Sequence, residues 1–223
     1  MTTQASSGRL HEPLTARTFP ARARDLARDF DEFGFVLDRW GLPPFWTRPA
    51  GVDTLFRIII EQQISVAAAN TVYRRMRRGL GALTAGRVAS AGESGLRAMG
   101  LSRQKARYCH SLARAVTERR FSVAGLARLD DDEAATALQA QPGIGPWSAS
   151  LYLMSALKRM DVWPSGDLAL LKGIAGLLPD ADAVHLARTG DRWRPRRAVA
   201  ARLVWHYYRC ALAGTTSPSV ANR

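Results

Sequence analysis

The chain has 223 residues, 47% of them hydrophobic, enough for one compact domain or two small lobes and too many for wholesale disorder. Its net charge of +13 calls for a polyanionic partner, with nucleic acid ahead of an acidic membrane surface. Two cysteines, Cys109 and Cys210, stand 101 positions apart in no metal-ligand spacing, and His11, His110, His185 and His206 show none either, which excludes a cysteine-held zinc or iron–sulfur centre.

No apolar stretch reaches signal-peptide or membrane-spanning length, so the reading is a cytoplasmic protein, nucleoid-associated in a bacterium, with no membrane partner. Of the 32 basic residues only Lys105, Lys158 and Lys172 are lysines. Forked guanidinium donors suit phosphate recognition, although an arginine-favouring codon usage accounts for most of such a ratio.

Residues 1–20 are polar and aperiodic and read as a flexible tail, as do residues 214–223. Between them the periodicity is helical nearly throughout, and no strand pair with a hairpin turn is evident. Residues 52–78 carry apolar positions on several faces, including Ile58, Ile59 and Ile60, and predict one buried helix ended by Gly79 and Gly81. A short helix follows over Ser90–Met99. Ser102 caps another through Lys105, Tyr108 and Leu112. Asp130–Gln139 opens on three acids, which suits a helix N-terminus. Trp147–Arg159, Ser165–Leu178 and Pro195–Leu212 complete the predicted helices.

The most informative segment is QAQPGIGPWS, residues 139–148. Pro142 cannot continue the preceding helix. Gly143 and Gly145 allow backbone conformations that a side chain resists, and Pro146 suits the first turn of the next helix. The resulting hairpin presents backbone N–H groups at a helix N-terminus, which binds phosphate oxygen without reading a base. By itself such a turn is more often only a turn. Twenty positions beyond Trp147 comes Asp167, in DVWPSGDLALLK, residues 161–172, predicted in the first turn of a helix. An acid there often serves only the helix dipole; the functional reading is a carboxylate kept ionised by helix N–H groups.

These blocks together resemble the HhH-GPD superfamily of DNA glycosylases, specifically its 3-methyladenine DNA glycosylase II branch. PGIGPWSA and DVWPSGDLALLK at their interval carry the resemblance. FRIIIEQQIS (56–65) and WRPRRAVAARLVWHYY (193–208) extend it over roughly residues 35–212. The resemblance implies an all-α fold of two helical lobes with a central cleft, the helix-hairpin-helix glycosylase fold. Lobe one would take about 21–51 with 165–213, and lobe two about 52–164. Too little sequence precedes residue 52 for the extra β-rich domain of some relatives.

By the resemblance, Asp167 is the catalytic carboxylate, opposing the positive charge that grows on the deoxyribose as the base departs. An oxocarbenium-like transition state calls for such a preorganised negative charge on physical grounds as well. Lyase-active relatives carry a lysine where this chain has Trp147, so no Schiff base is expected; Lys172 lies off the helical face of Asp167. Trp205 matches a base-pocket position, where an indole face attracts a cationic base; Trp147 and Trp46 are further candidate walls. Core packing is the commoner role of a tryptophan.

Gln63 falls where the family inserts a wedge into the duplex, and the hairpin residues Gly143, Ile144, Gly145, Pro146, Trp147 and Ser148 are the implied DNA contacts. Gln62 and Gln63 interrupt an apolar segment, so their amides need partners if buried. Glu61 stands where many relatives have glycine. Trp193–Arg197 forms a basic corner before the last helix. No cofactor is required; a monovalent cation, sodium or potassium, would rest on the backbone carbonyls of Gln139, Gln141 and Ile144.

The implied function is monofunctional excision of alkylated bases from damaged double-stranded DNA by a monomer. Two alternatives stand beside it: a lesion-binding protein of the same fold that does not cut, and a helical transcriptional regulator reading sequence with a recognition helix. Base release separates the first, and preference for a sequence over an abasic-site analogue separates the second.

Overall fold

The computed structural model describes residues 13–179 and 189–212. Its described residues form ten α-helices and no strands. The chain divides into two compact units, one of residues 48–157 and one of residues 1–47 with 158–223. The crossings thus fall at 47/48 and 157/158, a few residues before the positions 51/52 and 164/165 expected from sequence.

In the unit of residues 48–157, α3 (Val52–Glu61) is central, with Leu55, Phe56, Ile58, Ile59 and Ile60 at most 1% exposed. Apolar residues on all faces suit a helix enclosed by others, and α3 packs against α4 (Val66–Leu80), α6 (Arg103–Thr117) and α8 (Pro146–Ser155). The single helix expected over 52–78 is therefore two. Gln62 is extended and Gln63 has φ 56°, and Ser65 then starts α4 afresh by accepting the Ala68 N–H at 3.2 Å. Such a cap satisfies one of the donors that a helix start leaves without an intrahelical partner.

The helix α5 (Ala85–Ala98) begins at a Thr84 cap, five residues earlier than expected, and is interrupted at Gly92. It packs on α6, which Ser102 caps as the sequence indicated. Asp130 and Glu133 form a reciprocal capping box at the start of α7 (Asp131–Gln139), each side chain accepting the other residue's backbone N–H.

The second unit contains α1 (Phe19–Asp29), α2 (Asp31–Trp40), α9 (Leu168–Leu177) and α10 (Arg197–Tyr207), the last followed by a π-turn over Tyr208–Leu212. Residues 13–20 are not a tail: Leu14 is 2% exposed and its N–H donates to the Lys158 carbonyl at 2.8 Å. Phe19, also buried, opens α1. Residues 1–12 and the expected C-terminal tail, 214–223, lie outside the described residues. Residues Ala198 to Val204 of α10 are all buried, and that helix packs against α1, α2 and α9.

Candidate functional site

Asp167 is the N-cap of α9 rather than a residue of its first turn. Gly166, at φ 79°, brings the chain out of the Pro164–Ser165 turn, and Asp167 adopts an extended backbone while its Oδ1 accepts the Leu170 N–H at 2.9 Å. The same oxygen accepts the Trp205 indole Nε1–H at 3.0 Å. One donor comes from the helix start and one from an aromatic side chain, so the half-buried carboxylate is held in a fixed orientation. Donors to the ionised form favour it.

Trp205, on α10, lies 5.8 Å centroid to centroid from Trp46, with the planes at 44°. Trp46 belongs to residues 41–50, which have no regular helix. Its ring and carbonyl are held by Arg202, whose guanidinium carbon sits 4.6 Å from the Trp46 centroid and 4.6 Å from that of Phe45. Arg202 Nη1 donates to the Trp46 carbonyl at 2.9 Å. Burial pushes the Arg202 pKa down to about 10, which still leaves it charged at neutral pH. Three residues singled out from sequence (Asp167, Trp205 and Trp46) thus form one cluster, and Arg202, which sequence did not single out, completes it.

The hairpin lies in the other unit. Gly143 has φ 85°, and a Cβ there would meet the Tyr108 ring at 2.2 Å, so glycine is needed both for conformation and for space. Around Gly145, the N-cap of α8, a Cβ would meet nothing; its bare backbone is open to close approach. Ile144 is buried, its N–H closing the turn to the Gln141 carbonyl at 3.1 Å. Pro146 takes the first helical position, Trp147 is half-buried beside it, and Ser148 is buried.

The turn between α3 and α4 is tied to this hairpin through groups far apart in sequence. Gln62 Nε2 donates to the Gly143 carbonyl at 2.8 Å and to Ser148 Oγ at 2.9 Å. Lys105 Nζ donates to the carbonyls of Ile60 at 2.7 Å and Gln62 at 2.6 Å, satisfying acceptors that the end of α3 leaves over. Burial lowers the Lys105 pKa. Gln63, next in the chain, is exposed on this braced turn, as is Ile64. Glu61 is matched by Arg48 at 2.8 Å and Arg57 at 3.0 Å, so its carboxylate does not stand unopposed.

The basic corner is largely neutralised by its own unit: Arg196 pairs with Asp29, Arg197 with Asp161, and Arg194 with Asp161 and Asp191. Trp193 is core, 1% exposed and ringed by Phe33 and Trp163. Lys172 is exposed on α9. His206 packs in α10, its Nε2 3.3 Å from the Trp40 carbonyl. His11 and His185 lie outside the described residues. Among the described residues no group of three or more His, Cys, Asp or Glu could hold a metal, and no helix is long and apolar enough to cross a membrane.

A family profile described as HhH-GPD superfamily base excision DNA repair protein matches residues 56–186. DNA-3-methyladenine glycosylase 2 of Escherichia coli K12 is 27% identical over 223 aligned positions, covering 88% of this chain and 76% of that protein. The DNA-3-methyladenine glycosylase of Saccharomyces cerevisiae is 40% identical over 84 residues, 36% of this chain and only 28% of its own length. Among solved structures, a DNA-3-methyladenine glycosidase from Bacillus halodurans superposes with a TM-score of 0.74 at 25% identity, covering 84% of this chain and 88% of that one.

Proposed function

The chain belongs to the HhH-GPD superfamily of base excision DNA repair proteins, and we propose that it is a monofunctional DNA glycosylase hydrolysing the N-glycosidic bond of alkylated bases such as 3-methyladenine. The observation that carries this reading is the Asp167 carboxylate, fixed by the Leu170 N–H and the Trp205 indole, with Trp46 against Trp205. In the proposed reaction the bond from C1′ to the base nitrogen breaks and its electron pair leaves with the base. The sugar becomes oxocarbenium-like, and Asp167 stabilises that positive charge through space. Water adds to C1′ and loses its proton to solvent. A base already cationic from alkylation needs no protonation to leave. The relatives named as 3-methyladenine glycosylases support this substrate class.

In this reading the enzyme acts as a monomer on damaged duplex DNA, in the cytoplasm. The hairpin from Gly143 to Ser148 takes a phosphate with its main-chain N–H groups, because a helix start has no acceptors of its own for them. Gln63, on the braced turn, enters the space left by the extruded base. Trp147 is assigned as a further pocket wall, with Trp205 and Trp46. Sodium or potassium on the carbonyls of Gln139, Gln141 and Ile144 would stiffen the hairpin and take no part in the chemistry. The donors fit such an ion: neutral carbonyl oxygens suit a hard cation. Gln141 O spends one lone pair on the Ile144 N–H and keeps a second.

The test is a panel of duplexes, each carrying one of 3-methyladenine, 7-methylguanine, ethenoadenine or hypoxanthine. The expected result is release of at least one base, leaving an intact abasic strand that breaks only after alkali. No base released from any duplex would defeat the glycosylase reading in favour of lesion binding. Trapping of the protein on DNA by borohydride would defeat the monofunctional assignment.

A further inference from the structure

We propose that Arg202 is a positioning and specificity-determining residue, which holds Trp46 in place as a pocket wall and biases the pocket toward uncharged damaged bases. The inference rests on the glycosylase reading of the Asp167, Trp205 and Trp46 cluster.

The first part follows from how Trp46 is held. Its segment lacks the hydrogen-bond ladder of a helix, so side-chain contacts must orient it. Arg202 supplies two of them: Nη1 on the Trp46 carbonyl at 2.9 Å, and a planar guanidinium against its ring at 4.6 Å, with the Phe45 ring also 4.6 Å from the same carbon. Arg202 and Trp205 are three residues apart on α10, hence neighbours on one helix face. One face of α10 therefore carries both the residue that meets Trp46 edge to ring and the residue that grips it. Lysine could not reproduce both contacts, because an ammonium is a point charge with no plane to stack.

The second part follows from the charge. Arg202 is 2% exposed, so solvent screens its field far less than that of a surface arginine. An aromatic ring attracts a cation through its electron-rich face. Trp46 already has a guanidinium drawing on that density, and a cationic base placed against Trp46 or Trp205 would meet a fixed like charge nearby. A neutral base meets no such repulsion and keeps the full stacking surface. Two indoles alone would favour cationic N-alkylpurines; with Arg202 behind them, the preference shifts toward uncharged lesions such as hypoxanthine.

The experiment measures single-turnover release of cationic 7-methylguanine and of neutral hypoxanthine by the full chain and by three variants. Arg202→Gln keeps a donor for the Trp46 carbonyl and loses the charge. Arg202→Met fills the slot with an unbranched apolar chain, and because replacing a buried charge by an apolar group is often well tolerated, it keeps the test available if the glutamine variant does not fold. Arg202→Lys keeps the charge and loses the stack.

The ratio of cationic to neutral release is expected to rise about 3- to 30-fold in the glutamine and methionine variants, the span of a cation–π interaction expressed as a rate ratio. It should stay within about 2-fold of the parent in the lysine variant, whose overall rates on both bases fall as Trp46 loosens. An active parent with an unchanged or lowered ratio in the charge-free variants overturns the inference and leaves the glycosylase reading standing. A parent that releases neither base overturns both. Equal loss on both bases in all three variants would reduce Arg202 to a packing role.

Discussion

Replacing Asp167 by asparagine and by alanine separates its chemical role from its structural one. The carboxylate Oδ1 serves two donors, the Leu170 N–H at 2.9 Å and the Trp205 indole at 3.0 Å. Asparagine is as good an N-cap as aspartate, and its amide oxygen can accept both bonds, so Asp167→Asn should change stability by no more than a few tenths of a kcal/mol. Alanine removes the cap, at about 1 kcal/mol. It also leaves the half-buried indole N–H without this acceptor, at about 1 kcal/mol more, the lower end of the range for a group that water can partly reach. For a chain of this size about 2 kcal/mol corresponds to a fall in Tm of roughly 4–8 °C.

Base release should behave differently. Both variants lose the negative charge, and both should slow by at least ~100-fold, the scale for one preorganised electrostatic stabiliser. Thermal unfolding followed by circular dichroism, together with single-turnover excision on a duplex that the parent processes, gives the two readings side by side. An asparagine variant that excises at the parental rate would refute the electrostatic role. One that loses as much Tm as the alanine variant would refute the capping argument.

Two further perturbations test the scaffold. Lys105→Met removes the ammonium shared by the carbonyls of Ile60 and Gln62; hydrogen bonds from a charged donor are worth about 1.5–3 kcal/mol each, and exposure to water trims the loss to an expected 2–3 kcal/mol in denaturant unfolding. A change below about 0.5 kcal/mol, typical of a surface site, would show that the turn does not depend on the lysine. Burial lowers the His206 pKa below its ordinary 6.5. As pH falls the unfolded chain therefore takes up this proton before the folded one does, so the contribution of a neutral His206 is present above pH 6.5 and is lost below it. His206→Gln should flatten that part of the stability profile between pH 7 and 5, and an unaltered slope would assign the pH dependence to other groups.

Much of this protein was already legible in local sequence. Caps act within three or four residues, so Ser102 and Asp130 announced their helices directly. Pro142, Gly143, Gly145 and Pro146 specify the hairpin through their own backbone restrictions, and Asp167 stood out because Pro164 and Gly166 prepare a helix start just before it. The errors there were small and local: Asp167 caps the helix instead of entering it, and α3 stops at Glu61 because the polar residues 62–65 turn the chain where the apolar periodicity alone would have carried it on.

What only the tertiary structure decided is which distant partner each polar group meets. Periodicity marks a residue as inside or outside but does not name its neighbour. The amides at 62 and 63 were flagged as needing partners, yet that Gln62 reaches a carbonyl 81 residues later depends on how α3 and α8 pack. An arginine in an apolar helix such as α10 gives no sign that it will lie buried across two aromatic rings from residues 45 and 46. The basic corner reads as a phosphate site until Asp29 and Asp161 are folded against it. Backbone conformation is fixed by nearest neighbours along the chain, whereas burial and charge compensation are fixed by neighbours in space, which is why the sequence pointed to Asp167 and the hairpin but left Lys105 and Arg202 to the fold.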